Sequence, residues 1–129
     1  MSLAGLHRPA RWIFPFYAAL VFYLTHRPNT QLPIGGRFDL LVHMVVFGGW
    51  TVLITACGFF GPWYSHRNLA LSAFVSACYA TFDEAGQLYP PLKRVAALDD
   101  WGANMLGVAA AALVMLTIAE FFRRRMPAL

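Results

Sequence analysis

Two long apolar runs constrain this chain more than anything else in it. Phe38 to Phe60 spans 23 residues, with Asp39 its only charge and His43 its only imidazole. Trp101 to Phe122 spans 22 residues, with Glu120 its only charge. A helix needs about 20 apolar residues to cross the hydrocarbon of a bilayer, so both runs qualify as they stand. A chain of 129 residues makes only one small domain. It carries 59% apolar and 12% charged residues, where a soluble domain carries about 25% charge to cover its wetted surface. The surplus apolar residues must face something other than water.

Two weaker runs complete the pattern. Asn68 to Leu88 is apolar until Asp83 and Glu84 near its end. Trp12 to Thr25 has 14 residues without a charge, short for a bilayer, with Pro15 expected in its first turn, where proline is tolerated. Arg8, Arg11 and Arg27 flank it and can extend its reach by snorkelling. Basic residues before an apolar run also fit a secretory signal. No Ala-x-Ala-like site follows Leu24, so a retained helix is the expectation. Lipid-facing backbone must satisfy its own hydrogen bonds, and the short alternating segments of a barrel are absent. The sequence therefore predicts an all-α, single-domain (1–129), multi-pass protein of the inner (plasma) membrane. Its four transmembrane helices are expected at about 11–25, 38–60, 67–87 and 100–122.

Four spans put both termini on one side. That side collects Arg8, Arg11, Arg67, Arg123, Arg124 and Arg125, and the other collects Arg27, Arg37, Lys93 and Arg94. Basic residues favour the cytoplasmic side, so both termini are expected there. The net charge of +4 then reports topology rather than a nucleic-acid partner, since no basic patch interleaved with aromatics is present. Membrane lipids are the expected surroundings, and the terminal Arg triplet either touches anionic lipid or simply stops the last helix. Cys57 and Cys78 fall at depths about two helical turns apart, too far to bridge, and both are expected to serve as small apolar packers.

The remaining polar residues gather at the opposite, outer end. Helix two begins with Asp39 and His43, helix three ends with Asp83, Glu84 and Gln87, the next loop carries Lys93 and Arg94, and helix four begins with Asp99 or Asp100 and continues to Asn104. Asp39, His43 and Phe47 stand four apart, on one face of helix two. Asp100, Asn104, Gly107 and Ala111 follow helical spacing on helix four, as do Ser72, Ser76, Ala80 and Glu84 on helix three. Small residues at this spacing let helices approach closely in lipid, so the polar groups continue the packing faces and point inward, as the cost of intramembrane charge demands.

Each of these residues has an ordinary reading beside a functional one. Asp39, Asp99 and Asp100 stand at helix starts, where a carboxylate caps free N–H groups and suits the dipole. Asn104 fits a hydrogen bond to a neighbouring helix, and His43 alone fits a satisfied core histidine. Glu84 is harder to place as structure. The last turn of a helix disfavours an anion, and burial raises the cost. It needs a cation, a proton or a metal, with Arg94 the partner in view; a shifted proton affinity would make it a catalytic acid or base.

These residues resemble the VanZ-like family between about Phe38 and Ala111. The resemblance is carried by Asp39-x-x-x-His43 with Phe47, and by Asp83-Glu84-x-x-Gln87, a following basic residue, and Asp100-x-x-x-Asn104-x-x-Gly107. Leu40 stands where the family usually has a Lys, and the Leu88–Lys93 stretch is about one residue longer, so Arg94 takes the basic position. The resemblance implies a small polytopic membrane protein whose founding relative is associated with resistance to teicoplanin, a lipoglycopeptide that binds cell-wall precursors. Asp39, His43, Glu84, Gln87, Arg94, Asp100 and Asn104 are the candidate ligand-binding residues, with Arg94 carried over from the resemblance.

Three readings stay open at this point. One is an outer-leaflet envelope protein that binds or shields a wall precursor or glycopeptide. Another is an intramembrane enzyme on a lipid-linked or phospholipid headgroup. There Glu84 and His43 would act as acid and base, or Asp39, His43, Glu84 and Asp100 would hold a divalent metal, with Arg94 clamping phosphate. The third is an accessory subunit with a membrane-protein partner. No metal-ligand motif is recognisable in the spacing, and no cofactor is expected.

Overall fold

The computed structural model describes residues 7–26, 37–89 and 97–125, without the side chains of 7, 8 and 37. Arg94, Lys93 and Arg27 lie outside the described residues. The described chain is all-helical: α1 (His7–His26), α2 (Arg37–Cys57), α3 (His66–Gly86) and α4 (Leu98–Arg125). Two of them, α2 over Phe38–Cys57 and α4, are long and apolar enough to cross a membrane, with mean hydropathies of 2.0 and 2.1.

The helix bounds match the sequence expectation closely for α3 and differ elsewhere. α1 starts several residues earlier than the apolar run, because Arg8 and Arg11 interrupt apolarity without interrupting helix. Pro15 therefore sits inside α1, not in its first turn. α2 stops at Cys57 because Gly58 takes a positive φ of 61°, the left-handed conformation that ends helices and that glycine adopts without a Cβ penalty. Arg11 caps the end of α2: its Nε donates to the Cys57 carbonyl at 2.8 Å, and Nη2 lies 3.3 Å from the Gly58 carbonyl. The cation thus meets free carbonyls and the negative end of the α2 dipole.

The turn into α3 is held by Asn68, which is fully buried. Its Nδ2 donates to the Thr55 carbonyl at 2.9 Å, its Oδ1 accepts from Phe60 N–H at 3.2 Å, and its own N–H donates to the Ser65 cap at 3.2 Å. The expected small-residue seams are present. Ser72, Ser76, Ala80 and Glu84 are all buried along α3, and Asn104, Gly107 and Ala111 along α4. At Gly107 the backbones of α4 and α2 touch, since a Cβ there would strike the Met44 carbonyl oxygen and come within 2.9 Å of its carbonyl carbon. A second apolar cluster joins α1, α2 and α3 through Val21, Trp50 and Ile54, with Trp50 and Tyr79 stacked at 4.2 Å. Cys57 is buried, as expected, whereas Cys78 is exposed on the outward face of α3; both are free thiols.

Candidate functional site

The first turns of α2 and α4 and the last turn of α3 meet at one end of the bundle, and they bring together most of the residues singled out from sequence. His43 and Asn104, 61 positions apart, are joined by a 3.0 Å bond between Nδ1 and Oδ1. On the other side of the ring Nε2 faces Asp100 Oδ2 at 3.8 Å. Asp39, one turn before His43, completes a group in which one donor atom from each of Asp39, His43 and Asp100 lies within 4.8 Å of the others.

Glu84 comes to this end from α3. It is 6% exposed, and its Oε1 accepts from the Ala97 N–H at 2.7 Å, just ahead of α4. Asp100, His43 and Asp83 are close enough to act on it electrostatically. Among the described residues Glu84 Oε2, Gln87 Nε2 and Asn104 Nδ2 are buried without a hydrogen-bond partner. Gln87 is the C-cap of α3, its N–H donating to the Glu84 carbonyl at 3.1 Å. Beside Glu84 a groove of about 460 Å³ opens between α3 and α4. It is lined by Ala85, Leu88, Ala97, Leu98 and Trp101, with Thr81 and Glu84 the polar residues among its walls. Trp101 is held across the groove by Nε1–H donating to Thr81 Oγ1 at 3.1 Å.

Asp83 faces the other way from its neighbour. It is fully buried and receives the Thr25 hydroxyl at 2.7 Å, with His26 Nδ1 at 3.7 Å. Thr25 Oγ1 and His26 Nδ1 are 2.9 Å apart. Sequence reasoning did not single out Thr25 or His26. The available signal was that a polar pair closes the first apolar run at the end where Asp39, His43, Asp83, Glu84 and Asp100 gather. Asp99 stays exposed and accepts from the Asp100 N–H at 3.2 Å, a local capping contact.

The opposite end of the bundle is basic and self-contained. Glu120 Oε1 accepts from Arg123 at 2.7 Å and lies 3.5 Å from His66 Nε2, while the Arg125 guanidinium stacks over Phe121 at 4.2 Å.

A family model described as VanZ/LLP1 matches residues 9–120. The match takes in α1, which the motif resemblance left out, as well as the whole polar end. No curated protein and no solved structure matches this chain.

Proposed function

The chain belongs to the VanZ/LLP1 family, and on that premise we propose a four-span inner-membrane protein, termini in the cytoplasm, that holds an amphiphile at the outer leaflet. The apolar part of the ligand lies in the groove between α3 and α4, and its head reaches Glu84 and the Asp39–His43–Asp100–Asn104 group. Glu84 is the observation that carries this reading. The residue is 6% exposed, keeps one carboxylate oxygen unpartnered among the described residues, and lines a groove whose other walls are apolar but for Thr81. Burying a carboxylate with only one oxygen hydrogen-bonded among the described residues is costly, and those residues supply no structural reason to keep it there.

The proposed topology is supported by the distribution of side chains. Large apolar residues point outward on every helix, among them Trp12, Phe16, Phe38, Phe74, Leu106 and Leu113. Thr51, Thr55, Asn68, Ser72 and Ser76 are buried instead. Patches of that extent mark a membrane or partner surface in place of water. Arg11, Arg67 and Arg123 to Arg125 stand at the end away from the acidic group, which suits a cytoplasmic placement.

Holding an amphiphile at this position is a route to teicoplanin tolerance, by binding the drug or shielding what it binds. Expression in a teicoplanin-sensitive host should raise teicoplanin tolerance and leave vancomycin tolerance unchanged. Glu84→Gln, reaching the membrane at wild-type abundance, should remove the effect. A wild-type chain without effect on tolerance, whose Glu84→Gln variant also retains the same co-purifying amphiphiles by native mass spectrometry, overturns the proposal.

A further inference from the structure

The end of the bundle away from the acidic group draws positive charge from several helices at once. Arg11 bonds the Cys57 and Gly58 carbonyls, so the start of α1 meets the end of α2. Asn68 ties the start of α3 to the Thr55 carbonyl, and His66 Nε2 of α3 lies 3.5 Å from Glu120 of α4. Trp63 and Phe122 meet edge to face at 5.7 Å. Arg11, Arg67, Arg123, Arg124 and Arg125 therefore share this end, and Glu120 is the one acid there among the described residues.

Two of these cations already have work within the fold. Arg11 caps α2, and Arg123 donates to Glu120 at 2.7 Å. Arg67, Arg124 and Arg125 are exposed. Among the described residues none of the three has an ion pair or a side-chain hydrogen bond, although Arg125 stacks over Phe121 at 4.2 Å. The acid at this end is thus already used, and three guanidiniums are left over.

The length of α4 sets the layer in which they stand. Its 28 residues extend about 42 Å, against about 30 Å of hydrocarbon. Asp99 and Asp100 mark one end of its apolar run and Glu120 with the arginines the other, so in the spanning arrangement the arginines reach the headgroups. Exposed Trp12, Phe59 and Phe121 accompany them, and aromatic side chains collect at that depth. A topology signal needs charge only while the chain is being inserted. In the folded molecule the charge persists, and in that layer phosphates are the anions at hand.

We infer that Arg67, Arg124 and Arg125 bind the headgroups of anionic phospholipids, of the phosphatidylglycerol kind, at that face of the membrane. A guanidinium matches two phosphate oxygens with its planar fork and is weakly hydrated. Phosphatidylcholine offers the same oxygens, but its ammonium cancels the net charge that draws an arginine cluster. The inference rests on the four-span reading for the depth of α4, and not on the amphiphile at the outer end.

The test titrates the full chain, in a non-ionic detergent, with dioctanoyl phosphatidylglycerol or dioctanoyl phosphatidylcholine. Binding is read by native mass spectrometry, and a melting curve is taken for each variant. The wild type should prefer phosphatidylglycerol by at least about tenfold, a preference that added salt weakens and equimolar inorganic phosphate does not compete away. The triple variant Arg67→Gln, Arg124→Gln, Arg125→Gln should lose it, at about fivefold for each arginine. Glu120→Gln, which releases Arg123, should bind phosphatidylglycerol at least as tightly as the wild type. Should the triple variant fail to melt cooperatively, Arg124→Gln alone, expected about fivefold weaker, decides together with Glu120→Gln. A wild type that does not distinguish the two lipids overturns the inference. So does a preference that salt leaves intact or phosphate abolishes, or a folded triple variant that keeps it. A preference lost in Glu84→Gln and kept in the triple variant would put the lipid in the outer groove, overturning this inference while the amphiphile reading stands.

Discussion

Asp83 and Glu84 are adjacent in sequence and opposite in circumstance. Asp83 reaches toward α1 and takes the Thr25 hydroxyl at 2.7 Å. Glu84 reaches toward α4 and takes a backbone N–H at 2.7 Å with one oxygen only. Hydrogen bonds to a charged group contribute about 1.5–3 kcal/mol, so Thr25→Val should destabilise the protein by about that amount, seen as a lower melting temperature in detergent. Glu84→Gln should do the reverse of what a brace would do. The amide keeps an acceptor for Ala97 N–H and removes a buried charge, so the melting temperature should hold or rise. Glu84→Leu, which also discards the acceptor, should melt below Glu84→Gln by about 1–3 kcal/mol of stability. A Glu84→Gln protein that melts several degrees below wild type would make Glu84 a structural ion-pair partner. Glu84 was legible because a carboxylate near the end of an apolar run is costly wherever it goes. The partners of Asp83 were not, because a threonine 58 positions away carries no periodic signal and nothing in a single chain announces which helix will lie beside it.

At the scale of elements, spacing and packing can be separated. The seams on α3 and α4 were readable, since serine, alanine and glycine at every third or fourth position leave a helix few other uses for that face. The point at which α2 and α4 touch was not, because it depends on how the two seams are set against each other. Gly107 marks that contact. Gly107→Ala is expected to cost at least about 1–3 kcal/mol, since the added methyl meets backbone that cannot rotate aside, with Met44 Cα at 2.9 Å. Gly102, on the same helix, has nothing within 4 Å of where a Cβ would stand, so Gly102→Ala should be neutral or gain up to about 1 kcal/mol. Thermal unfolding of the pair side by side checks both, and equal costs would disprove the contact. The early start of α1 was missed for a related reason. Charge ends an apolar run but not a helix, and Arg11 had a use that hydropathy cannot express, as the cap of another helix.

For the whole molecule, the all-helical architecture followed from two apolar runs and a charge content too low for a wetted surface. The expectation of four spans rested on weaker signals, because α1 and α3 carry charge at their ends that only packing or a membrane interface can absorb. Fluorescent-protein fusions at either terminus should both glow in the cytoplasm, and a reporter active only outside should work when inserted after residue 89. Opposite results at the two termini would exclude an even number of spans. The unequal apolarity of the helices bears also on how such a chain is made. Synthesis releases each weaker helix before the stronger one that follows it, α1 before α2 and α3 before α4. In the four-span arrangement the early helices must therefore be retained beside the insertion machinery, or drawn in afterwards by the partner that completes them. A ribosome stalled soon after Gly86 should hold a nascent chain whose third helix is still accessible to soluble protease, and the addition of α4 should protect it.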